Sequence, residues 1–232
     1  AVMARQGFPL MGEDDWKSGF NSNNLSEVIW GSNVIAAETT FFRSYFYLAS
    51  NTFNGSQIRN NPKIADRRLV DAIPATDYRR DVFLPDAPNT NSSAANNQGG
   101  LDPETGLPRD PNYANDLEGF NERRAEINAT YGITNSFNQH PYMHIKLKNA
   151  NPGSIDPDDV IYMRTSEMYL IEAEAKAMLN DIPGAQEALR PLGEERDSAY
   201  DVTIYNTQES MMEHIKFQRR LELWGEGFGY TD

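Results

Sequence analysis

Cysteine is absent from the 232 residues. Disulfides and thiolate metal centres are therefore excluded as supports of the fold. Basic residues are scarce: 21 Lys and Arg stand against 34 Asp and Glu, a net charge of −13. Such a surface repels phosphate backbones, so nucleic acid is not an expected partner. No polybasic patch is present to draw the chain to anionic lipid. No apolar run approaches the roughly 20 residues that span a bilayer. The opening stretch "AVMARQGFPLMGEDDW" lacks the basic, apolar and small-residue order of a signal peptide. Apolar residues make up only 39%, low for a compact domain. Asn, Asp, Gly and Pro fill the difference, which predicts helices carrying long surface loops.

What is present has a clear grain. The first residues read as the last turns of a helix stopped by Gly7. Val28, Ile29 and Trp30 form a short apolar run suited to a strand. A helical start after "PKIADRR" breaks at Pro74. Residues 85–112 are turn-formers almost throughout, and loops of that length are usually functional or disordered. Met143, Ile145 and Leu147 alternate with His144, Lys146 and Lys148, the period of a half-buried strand. The spacing of Ile161, Met168, Ile171, Ala175 and Met178 predicts a helix over 158–180, with Asp158 and Asp159 at its positive end. A turn at "DIPG" leads to a short second helix over 184–192, and a last helix covers 207–224. Ala173, Ala175, Ala177, Ala185 and Ala188 allow close approach of the first two. This helix–turn–helix grammar resembles one tetratricopeptide unit, which cannot bury its faces without stacked neighbours.

Three stretches, "YMRTSEMYLIEAEAKAML", "AQEALRPL" and "FQRRLELWGEGFGYTD", share a pattern. Arg164 and Glu167 open a helix and "AEA" follows at 173–175. Arg219, Arg220, Glu222, Leu223, Glu226, Gly227 and Asp232 close the chain. Weaker echoes are "EVIWG" at 27–31 and "LVDAIPATDYRRDVFL" at 69–84. Together these resemble the C-terminal portion of the SusD/RagB family, lipid-anchored surface proteins of Bacteroidetes that bind glycans or other nutrients. One departure is "GFGY", where the family carries an Arg or His before the Asp.

The resemblance implies a mainly α, tetratricopeptide-like SusD-type fold with long loops and a few short strands. Residues 1–150 would be the loop-rich, aromatic-rich, ligand-facing part, and 151–232 the helical part with the signature. It implies non-catalytic binding, and no cofactor is expected. The implied partners are an oligosaccharide or other nutrient, a SusC-like TonB-dependent transporter, and the N-terminal half of the same protein, which is missing here. The implied location is the outer membrane, through a lipidated N-terminal cysteine outside this chain.

The residues themselves offer candidate sites. Glu222 and Glu226 are four apart on one helix, and Glu167 and Glu174 seven apart on another. Paired acids can hydrolyse glycosides. Here Arg164, Arg219 and Arg220 lie in the same segments, so the expected role of Arg164, Glu167, Arg219, Arg220, Glu222 and Glu226 is an ion-pair network that clamps two helices. His140, His144 and His214 are too scattered for a metal site. Asp102, Glu104 and Asp110 lie in a loop without EF-hand spacing. Sugars are held by aromatic platforms with amide partners. "FFRSYFYLASNTFNGSQ" supplies Phe41, Phe42, Tyr45, Phe46, Tyr47 and Phe53 beside Asn51, Asn54 and Gln57. Trp16 sits among polar residues. Trp16, Tyr45, Tyr47, Phe53, Asn51 and Asn54 are therefore the expected ligand contacts, while Trp30 and Trp224 are expected in the core. The rival readings are a peptide-binding tetratricopeptide scaffold and a hydrolase using Glu222 or Glu167.

Overall fold

The structure is a computed structural model and describes residues 7–35, 37, 45–55, 61–90, 99–134 and 139–227. Phe41, Phe42, Gln57, the opening helical turns and the closing "FGYTD" lie outside the described residues. Seven α-helices and four short strands appear among the described residues, so the fold is mainly helical. The chain divides into two compact units. Unit 1 takes residues 1–33, 73–80 and 159–232; unit 2 takes 34–72 and 81–158. The sequential division at residue 150 does not coincide with them.

In unit 1, a single-turn helix α1 (Glu13–Trp16) precedes strand β1 (Val28–Ser32). Strand β4 (Val160–Arg164) pairs antiparallel with β1, from Ser32 opposite Val160 to Val28 opposite Arg164. The helix expected over 158–180 therefore begins only at residue 165, as α5 (Thr165–Met178). Pairing with β1 satisfies the backbone of 160–164, and the β-branched Val160 and Ile161 fit a strand well. Asp159 accepts a bond from the Asn23 N–H at 2.9 Å, so it does not sit at a helix terminus.

Helix α6 (Ile182–Arg196) follows after a three-residue turn. Its cap, Asp181, accepts the Gly184 N–H, and Pro183 occupies the first turn, where its missing N–H costs nothing. The helix runs on through Pro191, well past residue 192. Helix α7 (Gln208–Glu222) opens with a reciprocal Thr207–Ser210 capping box. Leu170, Ala173, Ala177, Ala185, Ala188, Leu189, Leu192, Met211 and Ile215 form the shared core of these three helices. The apolar stripe read from the sequence points the other way. Met168 is half-buried, Ala175 is exposed, and Ile171 and Met178 are 44% and 65% exposed. Ala173 and Ala177, small enough for helix contact, face inward in their place, and Ala175, expected with them, does not.

Unit 2 holds α2 (Tyr45–Ala49), α3 (Arg67–Asp71), the two-residue ladder β2 (Phe83–Leu84) with β3 (Met143–His144), and α4 (Leu117–Tyr131). Helix α4 has no counterpart in the sequence reading. Its only buried residues are Phe120 and Ile127, too few for an amphipathic signal. Its ends are nonetheless written locally: Asp116 caps the Gly119 N–H, and Gly132 turns at φ 65°. The alternation at 143–148 also misleads. Met143, His144, Ile145, Lys146 and Leu147 are all buried, and only 143–144 form a strand.

Candidate functional site

Unit 1 is built around a buried cluster of charges. Strand β4 ends in Arg164, which is 1% exposed. Its guanidinium meets Glu222 at 2.6 Å, Glu27 at 2.8 Å, and both oxygens of Glu226 at 2.8 and 2.9 Å. Arg196, from the end of α6, bonds both Glu27 and Glu222 and reaches the Tyr78 hydroxyl at 2.7 Å. Arg79 grips Asp77 at 2.7 Å, Glu222 at 2.9 Å and the Gln218 side-chain carbonyl at 2.7 Å. Glu222, fully buried, is the hub of all three arginines.

Aromatic rings enclose the cluster. The Arg164 guanidinium lies 5.0 Å from the Phe20 ring centre, and Arg196 lies 5.9 Å from that of Tyr78. Trp16 donates its indole N–H to Glu222 at 3.2 Å and packs edge-on against Phe20 and Tyr78.

Burial alone would drive protons onto Glu222, but Arg196, Arg164 and Arg79 hold its carboxyl well below the usual carboxylate range. Burial likewise opposes the Arg164 charge, and Glu226, Glu222 and Glu27 outweigh it. Such a carboxylate cannot serve as a general acid near neutral pH, and its side chain is closed to substrate. The arrangement is structural: it ties strand β4, helix α6, helix α7 and the 73–80 segment to one point.

Of the expected network, Arg164, Glu222 and Glu226 meet here. Glu167 is buried in the first turn of α5 and Arg219 is half-buried. Arg220 is exposed and forms no ion pair with the described residues. Sequence reading missed Glu27, Asp77, Arg79 and Arg196. Two signals for them were visible: Glu27 opens "EVIWG", and Asp77–Arg79 lie in "ATDYRRD".

The expected ligand contacts mostly fall inside the protein. Trp16 is fully buried in the cluster, a correction to its placement on a surface platform. Phe53 and Asn51 are also fully buried. Phe53 packs edge-on against Tyr47 at 5.7 Å. Asn51 is a clasp: its amide donates to the Lys63 and His144 carbonyls at 2.8 Å each and accepts the Lys63 N–H at 2.8 Å. Asn54 donates to the Gly153 carbonyl. Aromatic and amide density here signals loop packing, because irregular backbone needs side-chain partners. Tyr45 and Tyr47 are half-buried. Trp30, expected in the core, is 61% exposed beside Tyr162, and Trp224 is half-buried. Two bulges, at Ile29 and Tyr162, re-aim these side chains.

The loop acids serve their own loops. Asp102 accepts the Glu104 and Thr105 N–H groups, and Asp110 those of Asn89 and Asn112. Among the described residues no group of three or more His, Asp and Glu side chains is placed to hold a metal. Burial and the like charges of Lys146 and Lys63 push the His144 imidazole down to about 3. Burial and Arg79 push His214 down to about 4. His214 lies stacked on Tyr205 at 3.7 Å and bonded to the Tyr200 hydroxyl at 2.9 Å.

Residues 47–232 match the SusD family model. That stretch holds the three arginines of the buried cluster and its hub Glu222, while Glu27 and Trp16 come from before it. The chain belongs to the SusD family. It is 30% identical over 129 residues to a SusD-like protein of Formosa agariphila, covering 48% of this chain and 25% of that protein. It is similar to the crystal structure of a SusD-like carbohydrate binding protein from Bacteroides vulgatus, with a TM-score of 0.62 and 26% identity. That similarity covers 98% of this chain and 38% of the other. The chain thus spans between a quarter and two-fifths of the length of these relatives.

Proposed function

We propose that this chain is part of a non-catalytic protein that binds oligosaccharides, or related nutrients, at the cell surface and delivers them to a SusC-like TonB-dependent transporter of the outer membrane. The observation that carries the reading is the likeness to a carbohydrate-binding SusD-like protein over nearly the whole chain. The burial of Glu222 and its pairing with three arginines support the non-catalytic part, since the acid that heads the sequence candidates is held ionised and has no proton to give. Anchorage through a lipidated N-terminal cysteine, in polypeptide outside these residues, belongs to the same proposal. The test is calorimetric titration of the full-length protein with neutral oligosaccharides, paired with an assay for released reducing ends. Saturable binding without release is the expected result; release that tracks the purified protein would overturn it.

A second reading has its own observation. The exposed stripe of Ile171, Ala175, Met178 and Leu179 on and after α5 suits a stacked helical neighbour. In this reading the neighbour is the N-terminal half of the same protein, a structural role beside glycan capture. Hydrogen exchange along α5 tests it: fast exchange at 171–178 in the full-length protein would count against a neighbour there.

A further inference from the structure

Tyr142 is held in a left-handed backbone conformation at φ 65°. That region favours glycine, and a bulky aromatic there is strained. The strain is imposed from both sides. The Tyr142 N–H donates to the Leu84 carbonyl at 2.8 Å, and its carbonyl accepts the Ala65 N–H at 2.9 Å. Strain of this kind gathers at ligand clamps and persists where the surroundings over-determine it. Phe20, the other strained aromatic among the described residues, is buried against Trp16 and Arg164. Tyr142 has no such interior role, because its side chain makes its hydrogen bond at the surface.

What surrounds that ring is chemically specific. The hydroxyl donates to Asp71 at 3.1 Å. Asp71 also takes the Arg67 Nε–H at 2.9 Å, one helical turn away on α3. The guanidinium lies 5.9 Å from the Tyr142 ring centre. Both terminal nitrogens of Arg67 are without a protein partner among the described residues. Ile64, 48% exposed, pairs through its backbone with Met143, the residue after Tyr142. The patch therefore brings together a half-buried aromatic ring, a guanidinium whose terminal donors are unpaired among the described residues, and a carboxylate bonded to both. Arg67 and Asp71 cancel in charge, on a chain of net charge −13, which disfavours uronic or sulfated sugars.

We propose that Tyr142, Arg67 and Asp71 form a subsite for an uncharged pyranose ring, stacked on Tyr142 and hydrogen-bonded by Arg67 and Asp71. The inference rests on the glycan-binding reading and assigns it a place.

The test is titration of the full-length protein at neutral pH with malto-, cello-, xylo- and manno-hexaose, alongside thermal melts. Glycine relieves the strained φ, so Tyr142→Gly is expected to keep or raise the melting midpoint while weakening the hexaose affinity at least tenfold. Arg67→Gln is expected to weaken it severalfold. If wild-type protein binds none of the four, the glycan reading falls and the subsite with it. If wild-type binds and Tyr142→Gly binds equally, the subsite alone is overturned, whatever happens to the midpoint. Should Tyr142→Gly lose both midpoint and affinity, Arg67→Gln decides, since it alters only surface atoms; unchanged affinity there overturns the proposal.

Discussion

The two units solve the same difficulty with different chemistry. Unit 1 joins distant segments through three buried guanidiniums converging on Glu222. Unit 2 has more irregular chain and holds it with mostly neutral side chains bonded to backbone: Asn51 to Lys63 and His144, Thr52 to Asn149, Gln139 to Arg124. A desolvated charge pair is severe when one partner is lost, because the other stays buried and unpaired. A neutral clasp fails more gently and locally. Unit 1 should therefore be brittle at a few positions, and unit 2 tolerant at most.

The largest expected effect is at the hub. Glu222→Gln keeps the shape but leaves three guanidiniums short of a counter-charge, and should cost about 3–5 kcal/mol in denaturant unfolding of the full-length protein. A loss under about 1 kcal/mol would show that the cluster is replaceable. Asn51→Ala in unit 2 should cost about 1–3 kcal/mol, the penalty for unpaired buried backbone groups. Equal losses at the two positions would erase the contrast.

Acid should act on both units through histidine, in steps. His144 and His214 are held neutral, at about 3 and about 4, against about 6.5 unfolded. A depressed imidazole binds fewer protons folded than unfolded, so its stabilisation is complete above about pH 6.5 and declines as pH falls toward the folded value. Glu222, depressed by its arginines, contributes fully above its unfolded value near 4.3 and loses that contribution below it. Ring-proton NMR should show neither histidine titrating near 6.5 in the folded protein. A midpoint near 6.5 for His214 would mean that the Tyr205 stack is open. The smallest effect is expected at Arg220→Gln, within about 0.5 kcal/mol of wild type, as for an exposed surface position. A large loss there would restore it to the network.

The helical core was largely legible. The last helix, expected over 207–224 and found over Gln208–Glu222, the α5–α6 turn and the close contact of Ala173, Ala177, Ala185 and Ala188 were legible because composition and turn chemistry are local. The choice of which α5 face turns inward was not, since the alanines and the Ile–Met stripe both repeat helically. Local pattern also failed at 160–164, where pairing with β1 decided the conformation, and at α4, whose apolar face is only Phe120 and Ile127. For the site, the signature marked Arg164, Glu222 and Glu226 as partners. It did not mark Arg79 or Arg196 as partners of Glu222, 143 and 26 residues away, although Arg79 falls inside the weaker 69–84 echo.

By itself the sequence determined the family, the acidic and cysteine-free character, the helix pair and the presence of an arginine–glutamate clamp. These depend on composition, short-range spacing and motif. Only the tertiary structure decided that Trp16 is a buried donor, that Trp30 faces outward, that Asn51 is a clasp, and that Tyr142 is strained beside Arg67 and Asp71. Burial and backbone strain are set by which remote segments meet, and no local spacing encodes that meeting.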